Sequence, residues 1–166
     1  MDSNEALRLQ PAVPSGSQRH VGKGKGTKVI GNLLALSLFR SDPIRPDRLR
    51  RVIPEETQLV LHTYSIQRDP RNFHSPDAFL PERWFTTGAP AGEHNTAAFF
   101  PFSYGPANCA GKNLALLEMR MLLCWVIRRF RFSKAPGVSY EEWEGRIQDW
   151  FVVHQDPLLM SISPRE

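Results

Sequence analysis

The nineteen residues from Lys112 to Phe130, KNLALLEMRMLLCWVIRRF, contain neither proline nor glycine and follow directly on Gly111. A run of good helix formers this long specifies an α-helix. Arg128, Arg129 and Arg131 are well placed against the negative end of its dipole. Leu114, Leu117, Met121, Trp125 and Ile127 or Arg128 sample one face, and apolar residues occupy most of the remainder. The helix is therefore expected to be largely buried.

Nothing else in the 166 residues is as regular, and fourteen prolines and eleven glycines point to many loops and few long elements. Asp2 to Leu9 reads as the end of a short helix stopped at Pro11. Thr57 to Tyr64 alternates like a strand, and Arg68 to Ala98 is irregular. Gln148 to Ser163 is strand-like, with Asp156-Pro157 as the turn of a C-terminal hairpin. These elements give an α+β chain, mainly α, with small β-sheets around one long buried helix.

Three segments follow: 1–32, a helix end with turns and strand; 33–51, an atypical insert expected to be disordered; and 52–166, the remainder. Between Arg19 and Arg51 lie nine Lys/Arg against two Asp, while the other residues carry twelve basic and fifteen acidic groups. The basic segment is interleaved with Gly and Pro and lacks aromatic stacking residues, which argues against nucleic acid. No run reaches the roughly 18–20 apolar residues of a membrane span, so the chain reads as soluble. Cys109 and Cys124 are the two cysteines. They are separated by about 22 Å if helical, too far for a disulfide, and Cys124 is expected in the core.

Ahead of the long helix runs Phe102-Ser103-Tyr104-Gly105-Pro106-Ala107-Asn108-Cys109-Ala110-Gly111. Gly105 and Pro106 shape a tight loop, and the cysteine falls where the helix starts. Gly105 and Gly111 let backbone approach a flat ligand. Backbone N–H groups at a helix start favour an anion. On the residues alone a nucleophile, a metal ligand and a buried structural cysteine all stay open, the first with His94 or His154 as its base.

This run resembles the haem-ligand pattern of the cytochrome P-450 family, F-x-x-G-x-R/H-x-C-x-G, at Phe102, Gly105, Cys109 and Gly111. Two further marks occur in the family's order. Glu5-Ala6-Leu7-Arg8 resembles its E-x-x-R, and Pro81-Glu82-Arg83-Trp84 its P-E-R-F/W, within HTYSIQRDPRNFHSPDAFLPERW as in fungal members.

The resemblance implies a C-terminal, haem-binding part of that fold and a haem-thiolate monooxygenase. Cys109 would be the axial ligand of haem b iron, Phe102 would flank its sulfur, and Arg19 would meet a haem propionate. Glu5, Arg8 and Arg83 would form a buried network. The implied partners are an electron-donating reductase and a small organic substrate; full-length relatives are anchored to the endoplasmic reticulum.

Three departures accompany the match. Ala107 stands where the pattern has Arg or His. Glu56 replaces the glycine of an I-P-x-G-T turn and is strained if its φ is positive. Leu33 to Arg51 has no counterpart in the pattern, as an intron retained in frame would produce; a spliced transcript still encoding it would rule that out. The chain reads as truncated and inactive alone, with a non-enzymatic remnant as the alternative.

Overall fold

A computed structural model describes residues 3–24, 28–30, 51–85, 91–92, 94–105 and 108–165, which fall into two compact units, Met1–Ser103 and Tyr104–Glu166. Ala107 and nearly all of the insert expected at 33–51 lie outside these described residues.

The first unit begins with α1 (Ser3–Leu9), seven residues long. So short a helix is marginal in water. Here the carbonyls of its last three residues all find side-chain donors: Gln67 Nε2 donates to Leu7 and Arg8 oxygens at 3.2 and 3.0 Å, and Arg68 Nη2 to Leu9 oxygen at 3.1 Å. Those otherwise orphaned carbonyls are where a helix end loses stability.

Four short strands follow: β1 (Gln18–His20), β2 (Lys28–Ile30), β3 (Arg51–Ile53) and β4 (Gln58–Val60). β1 pairs with β4 and β2 with β3, both antiparallel. Of the strand expected over Thr57–Tyr64, only Gln58–Val60 forms. His62 caps a new helix, α2 (Thr63–Gln67), by accepting from Ser65 N–H, so the polar cap overrides the alternation.

In the β2–β3 pair Ile30 faces Arg51. Removing residues 33–50 would leave Gly31-Asn32 as a two-residue loop between these partners, a favoured hairpin connection. Shortening the loop lowers its closure entropy, so this deletion should stabilise the chain by about 1–2 kcal/mol in urea unfolding. A destabilised deletion product would contradict the pairing.

The β3–β4 turn places Glu56 at φ 61°, with its N–H donating to Val21 oxygen at 2.7 Å. A side chain is strained there, and Glu56→Gly should raise stability by roughly 1 kcal/mol in the same measurement.

Beyond α2 the chain is irregular, with 3₁₀ turns at Pro81–Trp84 and Thr96–Ala98. Among the described residues the core contains Val21, Phe73, Ala98 and Phe100, beside seven buried polar or charged residues that include Glu5, Arg8, Gln67, Asn72 and Arg83.

The second unit is built on α3 (Lys112–Arg129), which runs into β5 (Phe130–Lys134). α4 (Tyr140–Gly145), β6 (Gln148–Trp150), β7 (Val152–His154) and β8 (Met160–Pro164) complete it. β5 pairs with β8 and β6 with β7. Asp156-Pro157 therefore joins strands of two different sheets and is not a hairpin turn. The hairpin apex is Phe151 at φ 74°, its N–H held by Asp149 Oδ1 at 3.0 Å.

The long helix corrects one expectation. α3 has the predicted span, but none of its residues is buried. Leu114, Met121, Leu122 and Trp125 are each half or more exposed, and Cys124, expected in the core, is exposed as well. Apolar composition states what a helix gains from a cover. Within this unit the cover is one two-stranded sheet, with Trp125 against Phe130 at 5.9 Å.

Candidate functional site

In the first unit the structure brings Glu5, Arg8 and Arg83 together, residues separated by up to 78 positions. Glu5 and Arg8 share one face of α1 at i and i+3, where side chains meet. The pair is bidentate: Arg8 Nη2 to Glu5 Oε1 at 2.8 Å and Arg8 Nε to Oε2 at 2.9 Å. Arg83 Nε reaches Oε1 at 3.1 Å from the Pro81–Trp84 turn. The carboxylate also accepts from Leu80 N–H at 3.0 Å and Trp84 Nε1–H at 2.9 Å.

One carboxylate faces two guanidinium groups, so the surplus positive charge needs partners. Arg8 donates to the carbonyls of Gln67, Pro76 and Ala78 at 2.8, 2.6 and 3.1 Å, and Arg83 to that of Ser75 at 3.3 Å. The Phe73 ring lies 5.3 Å from the Arg8 guanidinium carbon and 6.0 Å from that of Arg83. Burial pushes the Glu5 carboxyl up, but the Arg8, Leu80 and Trp84 hydrogen bonds outweigh it and hold its pKa at about 2.

Gln67 and Trp84 belong to this network and were not anticipated as site residues. Gln67 is fully buried; besides covering α1 it accepts from Phe100 N–H at 3.1 Å. Gln67 falls between the strand expected over Thr57–Tyr64 and the irregular region expected from Arg68, at the end of a helix the sequence reading did not anticipate. The usable signal was His62 three residues before Ser65, a cap preceding a short helix.

Arg19 lies on β1 opposite Leu59 and is half-buried rather than in an exposed loop. Its Nη2 donates to Ser103 Oγ at 2.7 Å. Phe102, also half-buried, precedes Ser103 in a turn closed by Ser103 N–H on Phe100 oxygen at 2.9 Å. His94 packs edge-on against Trp84 at 4.8 Å. Burial lowers its pKa, with the Arg83 charge adding to the effect.

In the second unit Cys109 is exposed and unpaired by disulfide. It stands one turn before α3, its carbonyl accepting from Lys112 N–H at 3.3 Å. Gly105, at φ 83°, has open space where a Cβ would sit. Gly111 is the N-cap of α3 and offers no side-chain cap, leaving the first-turn N–H groups without that partner. A Cβ on Gly111 would meet only the Cys109 sulfur, at 4.0 Å. His154 stacks on Trp150 at 4.5 Å. Cys124 lines a surface hollow with Met121, Trp125, Arg128 and Arg129. Among the described residues no group of three His, Cys, Asp or Glu could hold a metal ion, and no helix is long and apolar enough to cross a membrane.

Comparison with known proteins bears on this geometry. The family model for cytochrome P-450 matches residues 45–161. The chain is 38% identical to cytochrome P-450 monooxygenase nodW of Hypoxylon pulicicidum, over 98% of this chain and 26% of that protein. It is 36% identical to cytochrome P-450 monooxygenase phqL of Penicillium fellutanum (98% and 25%), and 32% to averantin hydroxylase of Dothistroma septosporum (98% and 27%). The chain thus spans about a quarter of the length of these curated relatives. In structure it resembles the heme domain of cytochrome P-450DA, with a TM-score of 0.70, 20% identity, and coverage of 98% of this chain and 30% of that one. A further heme-domain structure of a mutant of that protein also matches at 0.70. With the family model covering well over half of its residues, the chain belongs to the cytochrome P-450 family.

Proposed function

We propose that this chain is the haem-thiolate portion of a monooxygenase, with Cys109 as the protein ligand of the iron. The observation that carries the proposal is the exposed thiol at the foot of α3, inside the family's cysteine pattern. A bare metal ion needs several protein ligands, whereas iron already held by a porphyrin needs one. A single accessible thiol between two glycines suits the second case.

Bound haem would supply oxygen activation, and Cys109, if it held the iron as a thiolate, would contribute electron donation to it. In the intact reaction R–H, O₂, two electrons and two protons give R–OH and water, the electrons coming from a reductase. This chain's residues have supporting roles. First-turn N–H groups of α3 would temper the charge on sulfur. Gly105 and Gly111 would let the ring approach backbone. Phe102 would pack beside the sulfur, and Arg19 would meet a propionate. Glu5, Arg8 and Arg83 hold the first unit together.

A second reading, a non-enzymatic polypeptide with weak or no haem uptake, draws on the exposure of α3 and Cys109. Oxygen activation needs a dry cavity, so we expect no substrate turnover by this chain alone under either reading.

Hemin titration of the purified chain tests the proposal. Saturable one-to-one uptake, lost in Cys109→Ser and kept in Cys124→Ser, is the expected result. Uptake indifferent to both substitutions, or none, would refute ligation by Cys109.

A further inference from the structure

We propose that His94 is an acid-sensitive latch within the first unit: its neutral ring holds the segment 94–100 against Phe73 and Trp84, and proton uptake releases that segment. Neither haem nor Cys109 enters into it.

The ring is seated in an aromatic cluster. Its centroid lies 4.8 Å from that of Trp84, at 87°, and 5.8 Å from that of fully buried Phe73. Phe99, from the same segment, packs on Trp84 at 4.6 Å. An antiparallel bridge joins Phe73 to His94, and Asn95 N–H donates to Asn72 oxygen at 2.8 Å. The two ring nitrogens differ. A hydrogen bond with the Arg83 backbone engages one of them, whereas Nε2 is buried and has no hydrogen-bond partner among the described residues. The neutral imidazole has one proton to donate, and the Arg83 bond uses it. Nε2 is then a bare lone pair.

A proton arriving at Nε2 creates a buried N–H with nothing to receive it, which carries a desolvation penalty. It also adds a third cation to a cluster with one carboxylate. Arg83 from the Pro81–Trp84 turn and Arg8 from α1 oppose the new charge, while the Glu5 carboxylate favours it. Beside Phe73 stands His74, exposed and hydrogen-bonded to Ser75 Oγ at 3.1 Å, and Glu93 precedes His94 in sequence. Burial, with the Arg83 charge adding to it, holds the His94 pKa below its ordinary 6.5. The seated ring binds its proton more weakly than the released one does. The latch therefore contributes fully above pH 6.5 and lets go as pH falls through the depressed value. Glu5, with its pKa at about 2, stays ionised meanwhile, so the arginine network survives the release.

Urea unfolding of the full chain from roughly pH 8 to pH 5, the range in which histidines change charge, tests the latch. The unfolding constant of the parent should rise several-fold on acidification, up to the limit of about tenfold per pH unit that one proton allows. His94→Gln, a polar side chain that takes no proton, should lose most of that rise, whereas His74→Gln and Glu93→Gln should keep it. A flat parent profile, or an undiminished rise in His94→Gln, would overturn the latch. Hydrogen exchange of the parent chain gives a second measurement that needs no variant. Once intrinsic exchange is corrected for, protection of the Asn95 N–H should fall several-fold on acidification and stay insensitive to low urea, as a local opening does. Protection independent of pH, or exchange as steeply urea-dependent as global unfolding, would contradict the release.

Discussion

Glu5→Gln is expected to destabilise the first unit by about 3–5 kcal/mol, the cost of breaking a buried ion pair and leaving its partner charge uncompensated. The carboxylate is fully buried and accepts five hydrogen bonds, three of them from Arg8 and Arg83. Glutamine keeps the shape but brings an NH₂ into a site crowded with donors, and two guanidinium groups lose their counter-charge. In thermal unfolding the transition should fall by roughly 10 °C or more for a unit of this size. Asp77→Asn is the contrasting case. Arg68 and Asp77 are as close, at 2.7 Å, but the Asp77 side chain is 78% exposed, and such a pair is worth less than about 1 kcal/mol. Equal effects from the two substitutions would show that burial does not set the strength of the network.

The same charge sets an acid limit. Glu5 has a folded-state pKa of about 2 against an ordinary 4.5. The folded state binds its proton more weakly than the unfolded state does. The stability this contributes is therefore fully present above pH 4.5 and is lost as pH falls toward 2. It amounts to about 3 kcal/mol. In Glu5→Gln that part of the acid dependence should vanish.

Gly16→Ala is the second large effect, expected near 3 kcal/mol from backbone strain and steric overlap combined. Gly16 sits at φ 74°, and a Cβ there would fall 1.7 Å from Leu61 oxygen and 2.8 Å from Leu61 carbon. Neither is the tip of a flexible side chain. The close approach brings the turn around Gly16 against the start of α2, where Tyr64 N–H donates to Pro14 oxygen at 3.0 Å. Gly24 has nearly the same φ, 72°, with nothing within 4 Å of its Cβ position. Gly24→Ala should therefore cost only the conformational part, about 1 kcal/mol. Urea unfolding of both variants separates the two contributions, and similar losses at Gly16 and Gly24 would argue against the contact.

What the sequence made legible was local or carried by motif. The span of α3 follows from nineteen residues without a breaker. Its surroundings do not, because apolar composition says that a helix would gain from a cover and nothing about whether one is present. Glu5, Arg8 and Arg83 were paired through family resemblance; spacing could suggest only the Glu5–Arg8 half. Gln67 stayed hidden because its partners are backbone groups of Leu7, Arg8 and Phe100, which leave no trace in side-chain patterning. The C-terminal turn was misplaced for a different reason. Asp156-Pro157 is strong turn chemistry, whereas the hairpin bends at an aromatic residue with positive φ, which local preference disfavours. β5 and α4 went unread, α4 although Ser139 caps it by accepting from Glu142 N–H at 3.2 Å.

The central claim concerns the Cys109 sulfur and iron. The most direct measurement is the absorption spectrum of the hemin-loaded chain after reduction under carbon monoxide. Thiolate ligation predicts a strongly red-shifted Soret band that disappears in Cys109→Ser and persists in Cys124→Ser. An unshifted band in the parent chain, or a shifted one that survives Cys109→Ser, would contradict the assignment.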